Sequence, residues 1–419
     1  HDNTEELNSG TYNSKYKVQK ADVFDYIVMT LEKAMELLPK SSSEGRIDYY
    51  CAEGLLAKVY LAKSGVTGTV SSSDMAAAAK YAKDVIDNSG RSLLENYADV
   101  FRLANNKSEE SLIAWRWTAN GEIWTAQNTL QSDLAIEGFD EFGDCWGGWA
   151  GMSVDLQEAF GVKMLEQSPD TWLNGTDTRR KATMMLPGDT YDYFWQDQGG
   201  FNYLSFIYDK TYNTSATASL ESATGSNSVK HLYGNNNDHV KGTGVAARYM
   251  YSSLATHLLR LSDVYLIYAE AMIGTGSSTS DASAIDAFYA VRHRAISTYN
   301  RPSSITWDDV WKERRLELAM EGDRWYDYVR ISYTRPQFCI SELTSQKRNA
   351  YAGLDDLYKT YFNTGKWKVT SSNYYDTTVA APNITESSFT LPFPTEDVVF
   401  NPHLLEDPIH VDVRETYSY

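Results

Sequence analysis

The chain has 419 residues, enough for a large core in one domain or two to three smaller ones. Its 42% hydrophobic and 22% charged content is that of a folded globular protein and excludes wholesale disorder. A formal net charge of -18 argues against a nucleic-acid or anionic-membrane face, because both need cations to neutralise phosphate. Aromatic usage is high, with 30 Tyr, 14 Phe and 11 Trp, more than a core of this size requires.

Residues 1–20 are polar and read as a loop. Asp22 to Leu38 predicts an amphipathic helix with Phe24, Ile27, Leu31, Met35 and Leu38 on one face, ended by Pro39. Tyr49 to Lys63 predicts its antiparallel partner, stopping at Gly65. A third helix begins after a cap region at Ser71 to Asp74, and its alanines (Ala78, Ala79, Ala82) permit close helix approach. Leu93 to Phe101 predicts a short element closing this layer. Helix pairs of this size, small at the contacts, suggest a tetratricopeptide-like array over 22–110.

Residues 111–245 change character. Ser111 to Trp117 alternates as a strand, Val154 to Leu165 predicts a helix, and Thr178 to Met185 and Tyr191 to Ile207 alternate weakly. The remainder, rich in Gly, Trp, Asp, Asn and Tyr, reads as a loop-dominated insertion, the kind of segment on which binding residues are often carried. A second helical array is predicted over 246–330, from Ala246 to Met272, Asp281 to Arg294 and the helix opening at Thr306. From 331 to 419 the pattern is irregular, with one short helix expected at Gly353 to Phe362.

The Thr306 to Arg330 stretch carries the densest charge. Thr306 and Asp309 form a capping-box pattern, and Glu313, Arg314, Arg315, Glu317 and Glu321 interleave with an apolar stripe. Arg314 is placed to reach Glu317, and Glu317 lies beside Glu313 and Glu321 on the same side. Gly322 interrupts, followed by Arg324, Trp325 and Asp327. Several acids on one helix are costly to bury unless paired, so these residues are expected to form a structural ionic network joining helical hairpins. Trp325 and Tyr326 are expected to pack against arginines, and Trp307 and Trp311 to be core.

At this point ERRLELAMEGDRWYDYVR resembles the signature of the SusD/RagB family, surface lipoproteins of gut-type Bacteroidota that work with TonB-dependent transporters. In the same order, YIVMTLEKAMELLPK with GRIDYYCAEGLLAKVYLAKSG, YAKDVIDNSGRSLLENYADVFRLANNKSEESLIAWRW, LLRLSDVYLIYAEAM and LPFPTEDVVFNPHLLEDP resemble further family segments. The resemblance implies one mainly α, SusD-like domain over 1–419, with tetratricopeptide-like helix pairs as scaffold and an irregular ligand-binding region packed on it. It also implies non-catalytic nutrient binding, mostly of glycans and in some members of peptides, over a transporter barrel at the cell outer membrane. Family members carry a longer N-terminal region with a lipidated cysteine. The absence here of an initiator Met, a signal peptide and that region suggests a mature or truncated chain.

A glycan site needs aromatic faces beside short polar groups. The insertion offers Trp117, Trp124, Asn128, Asp144, Trp146, Trp149, Tyr193 and Trp195 as candidate ligand-binding residues, with Trp115, Gln131, Asp140 and Tyr191 nearby. Trp146 and Trp149 stand out because Gly147 and Gly148 leave them unshielded. An all-helical glycosidase using Asp140, Glu141 and Asp144 is the enzymatic alternative, and peptide binding the alternative within the family. No cofactor is expected. The histidines lack ligand spacing, the oxygen-rich Asn235 to Asp238 lacks the EF-hand order, and no GxSxG, HExxH or phosphate-loop motif occurs. Cys51, Cys145 and Cys339 support neither a disulfide framework nor a thiolate metal site.

Overall fold

The computed structural model describes residues 4–10, 14–42, 45–119, 128–140, 145–213, 219–247 and 250–417. Nine helices among the described residues reach ten residues or more. They are α1 Lys20–Leu37, α2 Tyr49–Lys63, α3 Ser72–Asn88, α4 Leu261–Ile273, α5 Ala282–Ala295, α6 Trp307–Glu317, α7 Asp323–Ser332, α8 Pro336–Ser345 and α9 Leu354–Thr364. The strands are short. The longest pair, β1 Ser111–Trp115 and β2 Thr256–Arg260, is antiparallel and two-stranded.

Local chemistry starts these helices where the sequence places them. Asp48 caps α2 by accepting from the Cys51 N–H at 3.1 Å and is itself held by Arg91 at 2.8 Å. Ser71 caps α3, Asp281 caps α5, and the Thr306–Asp309 capping box opens α6 with both reciprocal bonds formed. α1, α2, α3 and α4 pack successively, and α4 also contacts α5 and α6. Their common core runs through Ala57, Leu61, Ala78, Ala82, Val85, Val264, Ile267, Ala284, Phe288 and Val310. Gly54 lets β1 cross α2, since a Cβ there would lie 2.7 Å from the Leu112 side chain.

Several expectations need correction. The helix expected from Ala246 begins only at Leu261; Thr256–Arg260 is instead the partner of β1, burying Leu259 and exposing Leu258. Leu254, Leu258 and Leu261 suit a helical period, but pairing with a strand far back in the chain prevails. The expected Val154–Leu165 helix stops at Ala159, ahead of Gly161 at φ 79°. Thr178–Thr183 is helical, with only Met184–Met185 extended. Thr4–Ser9 is a helix within the stretch read as loop. The C-terminal stretch holds α8 as well as α9, because Phe338, Cys339 and Leu343 give α8 an apolar side against Trp311, Tyr328 and Ile331.

The insertion has its own core. Phe139, Tyr191, Phe194, Trp195, Phe201, Tyr203 and Phe206 cluster with Met184, Met185 and Leu186, and α9 contributes Leu354, Leu357 and Tyr358. Many of the chain's aromatics are used here, in mostly edge-to-face contacts such as Phe139–Phe194 at 5.4 Å and 89°.

Between the helical core and the insertion lies the ionic network. Glu317, fully buried, receives Arg294 at 2.5 Å, Arg260 at 3.1 Å and Arg179 at 3.4 Å. Burial opposes its ionisation, but Arg294, Arg260 and Arg179 prevail and hold its carboxyl down at about 2. Glu313 binds Arg179 and Arg292, each at 2.5 Å, while Glu321 binds Arg260 at 2.6 Å and Lys230 at 2.9 Å. Arg314 reaches Asp263 and Asp327 rather than the expected Glu317. Arg315 pairs with Asp155 on a helix of the insertion. Arg324 binds Glu342 and lies 3.6 Å from the centroid of the buried Trp311 ring. Trp325 departs from expectation: it is 43% exposed and stacks on Phe389, and Tyr326 is 69% exposed. On α7 these two side chains face outward while Asp327, Tyr328 and Ile331 turn inward.

Candidate functional site

The candidate surface is built on residues 145–153. The Trp146 N–H donates to the Ser132 carbonyl at 3.0 Å and the Gly147 N–H to the Ala135 carbonyl at 2.8 Å, pinning the loop on the short helix Leu130–Leu134. From the other side Asn227 Nδ2 donates to the Gly148 carbonyl at 2.8 Å, and the Met152 N–H to Ser226 Oγ at 2.9 Å. A Cβ on Gly147 would lie 2.2 Å from the Asp133 carbonyl oxygen, and one on Gly148 2.2 Å from Glu221 Oε2. Gly147 therefore serves close backbone approach and Gly148 leaves room for the Glu221 carboxylate, reasons different from unshielding the tryptophans.

On this pinned loop Trp146 is 43% exposed and Trp149 70% exposed. The Glu221 carboxylate sits against Gly148, between the two indoles in sequence. Burial, and then the nearby Glu137 charge, raise its pKa above the usual carboxylate value. Sequence reading passed over Glu221 because it is far along the chain and has no local motif. Exposed indoles supply apolar faces for sugar rings, and a carboxylate beside them accepts hydrogen bonds from hydroxyls.

The other candidates fall in different places. Trp117 is partly exposed, donating from Nε1 to Thr256 Oγ1 at 2.9 Å and meeting Trp115 edge-on at 5.9 Å; Trp115 is 57% exposed at the end of β1. Two candidates are corrected by their burial. Asn128 is committed to the Leu254 carbonyl at 2.8 Å and Ser252 Oγ at 3.3 Å. Trp195 lies in the aromatic core, its Nε1 donating to the Phe139 carbonyl and its ring stacked on Tyr212. Tyr193 is partly buried under the Arg102 guanidinium, 3.6 Å from its ring centroid. Trp124 and Asp144, with Glu141, lie outside the described residues.

Of the acids considered for glycoside hydrolysis, Asp140 is buried and accepts from the Tyr233 hydroxyl. Asp238, in the oxygen-rich stretch, accepts from the backbone N–H groups of Trp195, Gln196 and Asn235, so its oxygens face donors rather than a cation. Among the described residues no group of three or more His, Cys, Asp or Glu is arranged to hold a metal ion. His231, His239 and His257 are hydrogen-bonded in the interior, and burial lowers the pKa of each.

A mainly helical scaffold carrying an aromatic-rich insertion, with indoles exposed on a pinned loop, is the architecture of the SusD-like class. The pattern of the SusD family matches residues 96–410. A SusD-like protein of Bacteroides ovatus is 35% identical over 409 residues, covering 95% of this chain and 68% of that protein. A crystal structure determined with xylogluco-oligosaccharide superimposes with a TM-score of 0.75 at 32% identity, covering 97% of this chain and 75% of that one. Surface glycan-binding protein A from Bacteroides thetaiotaomicron, in complex with laminarihexaose, shares the fold with a TM-score of 0.55 at 20% identity, covering 84% of this chain and 70% of its own. The chain belongs to the SusD family.

Proposed function

We propose that this protein binds glycans without catalysis, at the surface of the outer membrane, and delivers them to a TonB-dependent transporter of the SusC-like kind. The observation that carries the binding reading is the pair of exposed indoles, Trp146 and Trp149, on a loop held from both sides, with the Glu221 carboxylate against the intervening Gly148. Rigid aromatic platforms gain affinity because little freedom is lost on binding. Family membership and the oligosaccharide complexes of two structural neighbours support the same ligand class. The transporter and the lipid anchor rest on the family resemblance; among the described residues no helix is long and apolar enough to cross a membrane.

Calorimetry against soluble glycans, including xyloglucan and laminarin oligosaccharides, and against a peptide panel tests this reading. Saturable glycan binding that a Trp146→Ala, Trp149→Ala double variant weakens by at least about tenfold is expected. Chromatography of the glycan after prolonged incubation should show no new reducing ends. Cleavage products would establish the glycosidase alternative, and binding confined to peptides would move the protein to the peptide-binding branch.

A further inference from the structure

A second concave site has no residue of the indole loop in its lining. A cavity of ≈ 300 Å³ opens between the turns of Tyr97–Asn105, the segment around Tyr193 and the helix Asn236–Thr243. That helix comes close to the turn: a Cβ on Gly242 would lie 2.9 Å from the Leu103 Cβ. The volume is at the lower end for small-molecule pockets, the scale of one sugar residue.

Arg102 in its wall differs from the other interior arginines. Arg179, Arg180, Arg260, Arg294, Arg314 and Arg330 all pair with carboxylates. Arg102 makes no such pair among the described residues. Its Nε donates to the Ala98 carbonyl at 3.1 Å, its plane lies over the Tyr193 ring, and Nη2 has no hydrogen-bond partner. Desolvation lowers its pKa, the opposite direction from its paired counterparts. Two acids line the cavity. Asp238 is committed to three backbone N–H groups, and Asp99 accepts from Asn96 at 3.2 Å without ion-pairing to Arg102. Lys241, exposed on the helix, adds a second cation at the rim. The desolvation of Arg102 prevails, offset only in part by the Tyr193 side chain and the Asp99 charge. A guanidinium taken out of water with no carboxylate in contact is costly, and a ligand carboxylate placed against it would lower that cost.

We propose that this cavity binds the carboxylate-bearing residue of an acidic sugar, a hexuronate, with Arg102 as counter-charge, Tyr193 as aromatic wall and Lys241 at the mouth. The site is independent of the indole loop and does not require that loop to bind glycan.

Saturation-transfer NMR and calorimetry with glucuronate, glucose and acetate provide the test. Glucuronate should bind one to one, with glucose and acetate at least about tenfold weaker. Arg102→Gln should reduce glucuronate binding by about tenfold or more, Lys241→Glu by a few-fold, and Tyr326→Ala, exposed on α7 and outside both sites, should leave it unchanged. Lys241 is exposed, so its variant keeps the test decisive should Arg102→Gln fail to fold. Glucose or acetate matching glucuronate would overturn the proposal, as would wild-type glucuronate affinity in Lys241→Glu.

Discussion

His231 and Met320 both adopt left-handed backbone, at φ 69° and 67°, and the His231 ring donates from Nε2 to the Met320 carbonyl at 2.7 Å. One residue belongs to the insertion and the other to the break between α6 and α7, so the bond ties the two cores together. Burial lowers the His231 pKa, keeping the ring neutral, and with a carbonyl as acceptor the proton must reside on Nε2.

Left-handed backbone costs a non-glycine residue about 1–2 kcal/mol, and a β-branched one more. Met320→Gly should therefore unfold close to wild type, since relief of strain offsets the lost packing of a partly buried side chain. Met320→Val should unfold at a clearly lower denaturant midpoint. Equal midpoints for the two variants would mean that the conformation at 320 is not constrained.

Glu317 offers a sharper test of the ionic network. Glu317→Gln preserves shape but leaves Arg294, Arg260 and Arg179 without their shared carboxylate. Removing one partner of a buried ion pair costs about 3–5 kcal/mol, so urea unfolding should register a loss of that size. Adding Arg294→Met should recover part of it. A loss below about 1 kcal/mol for the single variant would remove the network from the elements that hold the fold.

Glu53 on α2 predicts a pH dependence. It is 2% exposed, and burial followed by the hydrogen bond and charge of Asp84 pushes its carboxyl up to about 8. The folded state thus holds a proton that the unfolded chain releases near 4.5, and the associated stability is lost as pH rises from there through 8. Glu53→Gln should match wild type near pH 4 and exceed it by on the order of 2 kcal/mol at pH 8.5. Because His257, pushed down to about 4, and Glu317 contribute in the opposite direction, the reading is the difference between variant and wild type in urea midpoints at each pH. A difference that does not change with pH would contradict the assignment.

What could be read from the chain depended on the range of the interaction. α2, α3, α5 and the Thr306–Asp309 capping box were legible because their signals lie within a few residues: apolar spacing, caps and terminators. β2 was not, because its leucines fit two periods and its partner β1 is distant; Arg314 was assigned to Glu317 on its own helix although Asp263 and Asp327 compete for it. Trp146 and Trp149 are exposed as expected, yet the same composition offered Trp195, which is buried, since an aromatic-rich insertion needs aromatics for its own core. Glu221 could be placed beside Gly148 only by the fold.

That contrast between two tryptophans gives the last prediction. Trp149 is 70% exposed on the pinned loop, so Trp149→Ala should change unfolding free energy by no more than about 0.5 kcal/mol while weakening glycan binding by at least about tenfold. Trp195 is 6% exposed against Phe139, Phe201, Phe206 and Tyr212, so Trp195→Ala should cost about 3–5 kcal/mol. Any loss of binding in Trp195→Ala should then follow loss of folded protein, and affinity per folded molecule should hold while the insertion keeps its core. Thermal unfolding and calorimetry on the same preparations separate the two effects. Should Trp149→Ala retain full affinity for every glycan that wild type binds, the binding surface lies elsewhere, and the exposed Trp115 with its edge-on neighbour Trp117 becomes the next surface to alter.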